Sequence, residues 1–214
     1  VGRPPTPFSP TFKRLEGVAL VSAAVLGLLL MPRIATLGLV NLPVAVVMLL
    51  AADVLSGIVH WGFDRFGSES TPLVGPNLVR TFREHHTDPL GITRHSFVEA
   101  NGGPAFGSSV VFAVGLCAPP ALAAALFWLG TFGLATNLVH AWAHGPAPRP
   151  VRWLQRAGVL LSPEHHAAHH DAPYDRAYCI TTGWANPLLD RIGAWGRMER
   201  AIRTLSGVRP SGVS

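Results

Sequence analysis

The sequence predicts an all-α integral membrane protein, and two patterns in its 214 residues carry that expectation. Four apolar runs approach or exceed the length of a membrane helix, and histidines at helical spacing gather at the ends of those runs. The runs cover about residues 16–31, 38–61, 104–118 and 120–143. Spanning a bilayer takes roughly 20 apolar residues, so the third run is short for the task. Pro32 with Arg33 is expected to turn the chain between the first two spans, and Pro119 with Pro120 between the last two, because proline lacks the helical donor and crowds the preceding turn. Residues 62–103 and 144–214 then form a helical cap, and the whole of 1–214 is expected to be a single membrane domain.

Charge gives the orientation. The chain carries 17 Lys and Arg. With four spans all of them except Arg33 fall on the face holding both termini, which the positive-inside rule reads as cytoplasmic. A three-span alternative, with 104–143 as one kinked helix, would split both the positive charge and the histidines across the bilayer. Lys13 and Arg14 before the first apolar run resemble a signal peptide. No small-residue cleavage site follows Met31, so a retained anchor in a bacterial inner membrane is expected. The formal net charge of +5 suits anionic headgroups or an acidic protein partner and gives no reason to invoke nucleic acid. Cys117 and Cys179 fall in different environments and are not expected to pair.

The histidines supply the chemistry. His140 and His144, four residues apart, share one helical face, and His165, His166, His169 and His170 fall within an arc of about 140° on a helix. Ser162 followed by Pro163 reads as the start of that helix, and Pro173 as its stop. Asp53, His60 and Asp64 share a face of span two, as Asn137, His140 and His144 share one of span four. Glu84, His85 and His86 lie in the loop between spans two and three. A lone histidine is most often a hydrogen-bonded residue, but four in six positions form a metal-binding pattern. The candidate ligands are therefore His60, Asp64, His85, His86, His140, His144, His165, His166, His169 and His170. Asp53, as an ionisable group below the interface, is expected to orient a ligand histidine, and Glu84, His95 and Asn137 are candidates for the outer layer or the substrate wall. So many converging donors overshoot the four positions of one zinc, which implies two ions. Imidazole-rich sites with open positions suit iron and O2 chemistry. Placement at a membrane surface suggests a lipid chain as substrate, with a non-catalytic metal-binding membrane protein as the competing reading.

From His60 to Pro210 the segments HWGFDRFGS, FREHHTDPLGITRHSFVEANG, TNLVHAWAH, SPEHHAAHH and YCITTGWANPLLDRIGAWGRMERAI resemble the plasmanylethanolamine desaturase (Kua) family of histidine-box membrane enzymes. The resemblance implies a di-iron lipid desaturase that forms the vinyl ether of a plasmalogen from a 1-O-alkyl phospholipid. It would use O2 and two electrons from a cytochrome b5 or ferredoxin type donor. It places His140, His144, His166, His169 and His170 foremost among the ligands, then His60, Asp64, His85 and His86, with His165 and His95 further out. Two positions depart from the family pattern: Ser96 stands in place of an aspartate, and Gly103 with Pro104 replaces a more polar stretch. Plant relatives that desaturate an acyl chain of phosphatidylglycerol keep an alternative open, an acyl-chain desaturase or hydroxylase.

Overall fold

The computed structural model describes residues 8–211, and among these it contains helices and turns but no strand. Helix α1, Pro10–Ala35, begins where the Ser9 hydroxyl accepts the Phe12 N–H at 3.3 Å, with Pro10 in the first turn. It continues through Pro32 instead of turning there. In an apolar surround the remaining backbone groups stay paired only if the helix persists, so one missing donor is tolerated. The turn comes at Thr36–Gly38, where Gly38 adopts φ +51°. Arg33 has a different task from the one expected: its guanidinium donates to the carbonyls of Gly115, Leu116 and Ala118. Those carbonyls end another helix and would otherwise lack partners.

Helix α2 spans Asn41–Arg65, and after a short π-helical stretch at Gly75–Val79 comes α3, Arg80–Thr87. Helix α4, Phe97–Cys117, starts seven residues before the expected third span. Ser96 and Glu99 form a capping box: the Ser96 hydroxyl accepts the Glu99 N–H at 3.3 Å, and the Glu99 carboxylate accepts the Ser96 N–H at 3.0 Å. That cap recruits the polar segment FVEANGG into the helix and makes up the length the apolar run lacks. Helix α5, Pro120–His144, completes four helices long and apolar enough to cross a bilayer. Short helices follow: α6 Arg149–Arg156, α7 Pro163–Ala167, α8 Asn186–Arg191 and α9 Ala194–Ser206.

In the bundle α4 lies between α1 and α5, and α2 packs on the other flank of α5. Small residues at the α1, α4 and α5 contacts, among them Ala19, Ala23, Ala105, Ala123 and Ala124, are buried with Leu30 and Phe112. Without water to exclude, close backbone approach of this kind is what drives packing in lipid. Gly102 illustrates it, since a Cβ there would overlap the side chain of Glu16. The outward faces carry exposed Val18, Val21, Leu28, Val46, Val47 and Val110, as lipid contact requires. The up-and-down order brings the last turns of α2 and α5 to the same end as the first turns of α1 and α4, and the short helices gather there.

Candidate metal centre

Four elements converge at that end. Helix α2 supplies His60 and Asp64 one turn apart, α3 supplies His85 and His86, and α5 supplies His140 and His144. The segment at α7 supplies His166, His169 and His170. Its start is the expected one, with the Ser162 hydroxyl accepting the His165 N–H at 3.2 Å. The helix nevertheless stops at Ala167 and does not continue to Pro173. It tightens into a turn in which His169 N–H reaches the His166 carbonyl at 2.9 Å and His170 N–H reaches Ala167 at 3.0 Å.

The ring nitrogens face one another. Nε2 of His140 lies 2.9 Å from that of His166 and 3.1 Å from that of His144, and His166 lies 2.8 Å from His144 and 3.1 Å from His170. His60 Nε2 is 3.2 Å from His85 Nε2. With metal to nitrogen bonds of about 2.1 Å, neighbouring donors on an octahedron stand about 3.0 Å apart. The observed separations match that edge. Two groups have ligand atoms within 4.8 Å of one another: His60, His85, His86 and His169, and His85, His140, His144 and His166. His85 belongs to both. The Asp64 carboxylate oxygen Oδ2 stands 2.9 Å from His86 Nε2 and 3.4 Å from the Nε2 atoms of His60 and His169.

Several rings are oriented from behind. Nδ1 of His60 meets the Tyr178 carbonyl at 3.2 Å, Nδ1 of His169 meets the Arg176 carbonyl at 2.8 Å, and Nδ1 of His85 meets the Phe82 carbonyl. A carbonyl can only accept, so the proton sits on Nδ1 and the Nε2 lone pair is free for a metal. Burial, followed by neighbouring rings, holds His85 and His166 well below the ordinary imidazole range. Burial and His144 lower His170 to about 3. Neutral imidazole is the form a metal binds. Asp64 Oδ1, His86 Nδ1, His166 Nδ1, His169 Nε2 and His170 Nδ1 are buried without a hydrogen-bond partner. Of these, His169 Nε2 lies inside the cluster, 3.4 Å from Asp64 Oδ2, and a buried orphan there fits a centre that a cation completes.

The other sequence candidates lie around this cluster. His165 turns away from it, its Nε2 meeting the Asn186 side-chain amide at 3.1 Å. Asp53 binds backbone instead of the expected histidine: Oδ1 accepts the N–H groups of Thr181, Thr182 and Gly183 at 3.1, 2.7 and 2.9 Å, and Oδ2 that of Ala185 at 3.1 Å. Four such bonds satisfy a buried carboxylate, and they hold a strap, residues 177–186, against α2. The strap carries the Tyr178 carbonyl that orients His60, so Asp53 reaches the cluster through backbone. Sequence reasoning missed this strap and its partners, such as Ser56, whose hydroxyl accepts the Ile180 N–H at 3.0 Å. Gly57 permits the close approach, for a Cβ there would meet Cys179 Sγ and the Trp195 ring. A polar serine and a glycine between Asp53 and His60 were the available signal. Cys179 and Cys117 are both free thiols.

A cavity of about 770 Å³ opens beside the cluster, between α2 and α4 with α5 as its back wall. His85 and His140 border it. On one side of them lie Glu84, Thr87, Asp88 and His95, and on the other the wall descends through Val59, Gly103, Gly107, Gly133, Val111 and Leu129. Asn137 stands in that wall and donates to the Ala100 carbonyl at 2.7 Å, joining α5 to α4. Glu84 pairs with Arg80 at 3.5 Å. His95 packs on Phe8 with ring centroids 5.2 Å apart, and its Nδ1 is 3.8 Å from Glu99.

Known proteins resemble this chain along most of its length. The family profile described as lipid desaturase domain matches residues 49–212, which include every histidine of the cluster. The plasmanylethanolamine desaturase of Myxococcus xanthus is 38% identical over 218 residues, covering 95% of this chain and 76% of the relative. Plasmanylethanolamine desaturase 1 of Mus musculus is 41% identical over 174 residues, covering 75% and 64%. The chloroplastic fatty acid desaturase 4 of Arabidopsis thaliana is 39% identical over 167 residues, covering 74% and 50%. No solved structure matches the chain. Matched by that profile and by these relatives, with apolar spanning helices and a converging histidine cluster, the chain belongs to the lipid desaturase family of integral membrane oxidoreductases.

Proposed function

We propose that the protein converts the 1-O-alkyl chain of an ether phospholipid to its vinyl ether, as a plasmanylethanolamine desaturase does, using O2 and electrons from a separate carrier. We further propose that it binds two iron ions through His60, Asp64, His85, His86, His140, His144, His166, His169 and His170. The donor set fits, since imidazoles and one carboxylate at octahedral spacing with orphaned atoms among them suit a pair of such ions. Bound iron would supply the O2 chemistry that side chains cannot.

The observation that carries the reading is where the histidines sit along the cavity. From His140 to Leu129 the α5 wall descends eleven residues, about 16 Å of helix. A methylene zigzag of bonds near 1.5 Å rises about 1.25 Å per carbon, so the apolar side accommodates roughly thirteen carbons. A chain of common length threaded there leaves only its first few carbons beside His85 and His140. The headgroup then lies among Glu84, Thr87, Asp88 and His95. Desaturation next to the polar end follows from that register, whereas reaction at mid-chain would leave much of the apolar wall empty. The walls of α2, α4 and α5 hold the chain, and positioning is a large share of what this chain contributes, since an error of about 1 Å can cost roughly a hundredfold in rate.

In a host supplied with 1-O-alkyl phosphatidylethanolamine, the acid-labile 1-alkenyl lipid is expected only when this chain, O2 and a donor are all present, as read by mass spectrometry before and after acid. The plant relatives named as fatty acid desaturases favour a second reading, attack near the carboxyl end of an acyl chain, which lies at the same depth. An acid-stable double bond in an acyl chain without vinyl ether would establish that reading instead.

A further inference from the structure

Desaturation balances as –CH2–CH2– + O2 + 2 e⁻ + 2 H⁺ giving –CH=CH– + 2 H2O, so a carrier must deliver two electrons to a centre whose histidines are buried. The lipid cavity borders His85 and His140 and touches neither Tyr178 nor Trp195. On the other side of the cluster those two rings form a continuous line. The Tyr178 ring lies 4.8 Å from that of His169 and 5.7 Å from that of His60, centroid to centroid, and 5.0 Å from that of Trp195. Trp195 sits in the first turn of α9, fixed by its indole N–H donating to Asp190 at 2.9 Å.

Both rings line a surface depression of about 680 Å³. Two of its three carboxylates are engaged, Glu199 pairing with Arg65 at 2.7 Å and Asp190 accepting the Trp195 indole and the Ala177 N–H, which leaves the exposed Asp175 against three arginines. Arg191, Arg197 and Arg200 on its rim are exposed, and among the described residues they form no ion pair. The rim is therefore positive, with contiguous rings running from its floor to the histidines. Tunnelling weakens steeply with distance, so an electron entering here has a packed path, while one entering from the lipid side must cross the substrate.

We propose that this depression is the docking site of an acidic one-electron carrier protein, and that electrons tunnel through Trp195 and Tyr178 to the His60 and His169 side of the centre. The inference rests on the desaturase reading above for its need of external electrons. Each docking oxidises one carrier by one electron, and two dockings complete the balance, with both protons drawn from water. Opposite charge steers such encounters and makes them sensitive to salt. A lipid headgroup could also meet arginines, yet it would have no use for the line of rings beneath them.

The test uses the metal-loaded protein in nanodiscs with two acidic carriers, a plant-type ferredoxin and the soluble domain of cytochrome b5. The double variant Arg197→Glu with Arg200→Glu is expected to weaken carrier binding at least tenfold at low ionic strength, while Arg197→Lys with Arg200→Lys binds nearly as the parent. In stopped flow at saturating carrier, Trp195→Leu is expected to slow reduction of the centre at least tenfold and Trp195→Phe much less. Reduction by dithionite and metal content should stay unchanged in both. Undiminished carrier binding by the charge-reversed protein overturns the site, as does a charge effect on binding to phosphatidylglycerol discs without one on carrier binding. Carrier-driven reduction of Trp195→Leu at the parent rate overturns the ring path. Binding and reduction are read without lipid turnover. A protein that passes both but makes no vinyl ether therefore upholds the docking site and overturns only the substrate assignment.

Discussion

One carboxylate, Asp53, ties the spanning bundle to the strap behind the cluster. Its four backbone bonds cannot be replaced by water at that depth, and each orphaned donor costs about 1–3 kcal/mol. Asp53→Ala is expected to destabilise the protein by at least about 3 kcal/mol and to lower iron content, because the Tyr178 carbonyl loses its hold on His60. Asp53→Asn keeps one acceptor oxygen and should fall between, in thermal melts and metal analysis alike. An unchanged melt in Asp53→Ala would remove the strap from the account. The histidines divide in a second prediction. His140→Ala and His170→Ala should lose iron and turnover while the protein stays in the membrane, since the spans hold the fold. His165→Ala and His95→Ala should keep their iron, because neither ring joins the cluster, and any loss should resemble the roughly 10 to 100-fold of an outer partner. Full activity in His170→Ala would dismiss the di-iron assignment. The departure at Ser96 acquires a physical meaning at this scale. Serine caps α4, and aspartate is an equally good cap, so that difference leaves the helix start intact.

Helices α2 and α4 rest on α5 with the cavity between them, so the small residues of α4 determine how deep a chain descends. A Cβ at Gly107 meets nothing within 4 Å, and the residue lies seven positions along α4 from Ala100, about 10 Å of helix. Gly107→Phe should fill the channel at that depth. Turnover of 16-carbon alkyl chains is expected to fall at least tenfold, while chains of about eight carbons are retained, given a rise of about 1.25 Å per carbon. Competition between chain lengths, read by mass spectrometry, checks this, and equal loss for both lengths would place the chain elsewhere. The elements also show how far local pattern reaches. Apolar runs and i, i+4 histidines are local signals, so the spans and the HxxxH and HHxxHH motifs were legible. The continuation of α1 through Pro32 was not, because proline rules drawn from water do not weigh the absence of competing solvent. The early stop of α7 depends on a turn tightening beneath α5. The strap was invisible because its partners, Asp53 and residues 181–185, stand nearly 130 positions apart, and the sequence reports such pairing only after folding.

For the molecule as a whole, the up-and-down order makes the placement of the histidines a single question of topology. The ends of α1 and α4 that begin the helices and those of α2 and α5 that finish them share one side with the histidine cluster, and α6 to α9 lie with them. Among the described residues, Arg33 alone of the Lys and Arg belongs to the opposite side, and its guanidinium donates to the last carbonyls of α4. One arginine on that side against the many on the other is the asymmetry that the positive-inside rule reads. The histidine side is therefore expected to be cytoplasmic, where reduced carrier proteins are available and the arginines of α6 and α9 meet anionic lipid or an acidic partner. Single cysteines at Ser70 and Ser206, in a background with Cys117 and Cys179 replaced, should be shielded from an impermeant maleimide in intact cells and labelled after lysis. A cysteine at Thr36 should be labelled from outside. Labelling of the Ser70 position in intact cells would reverse the orientation and would also deny the centre its carrier, so topology and electron supply stand or fall on the same measurement.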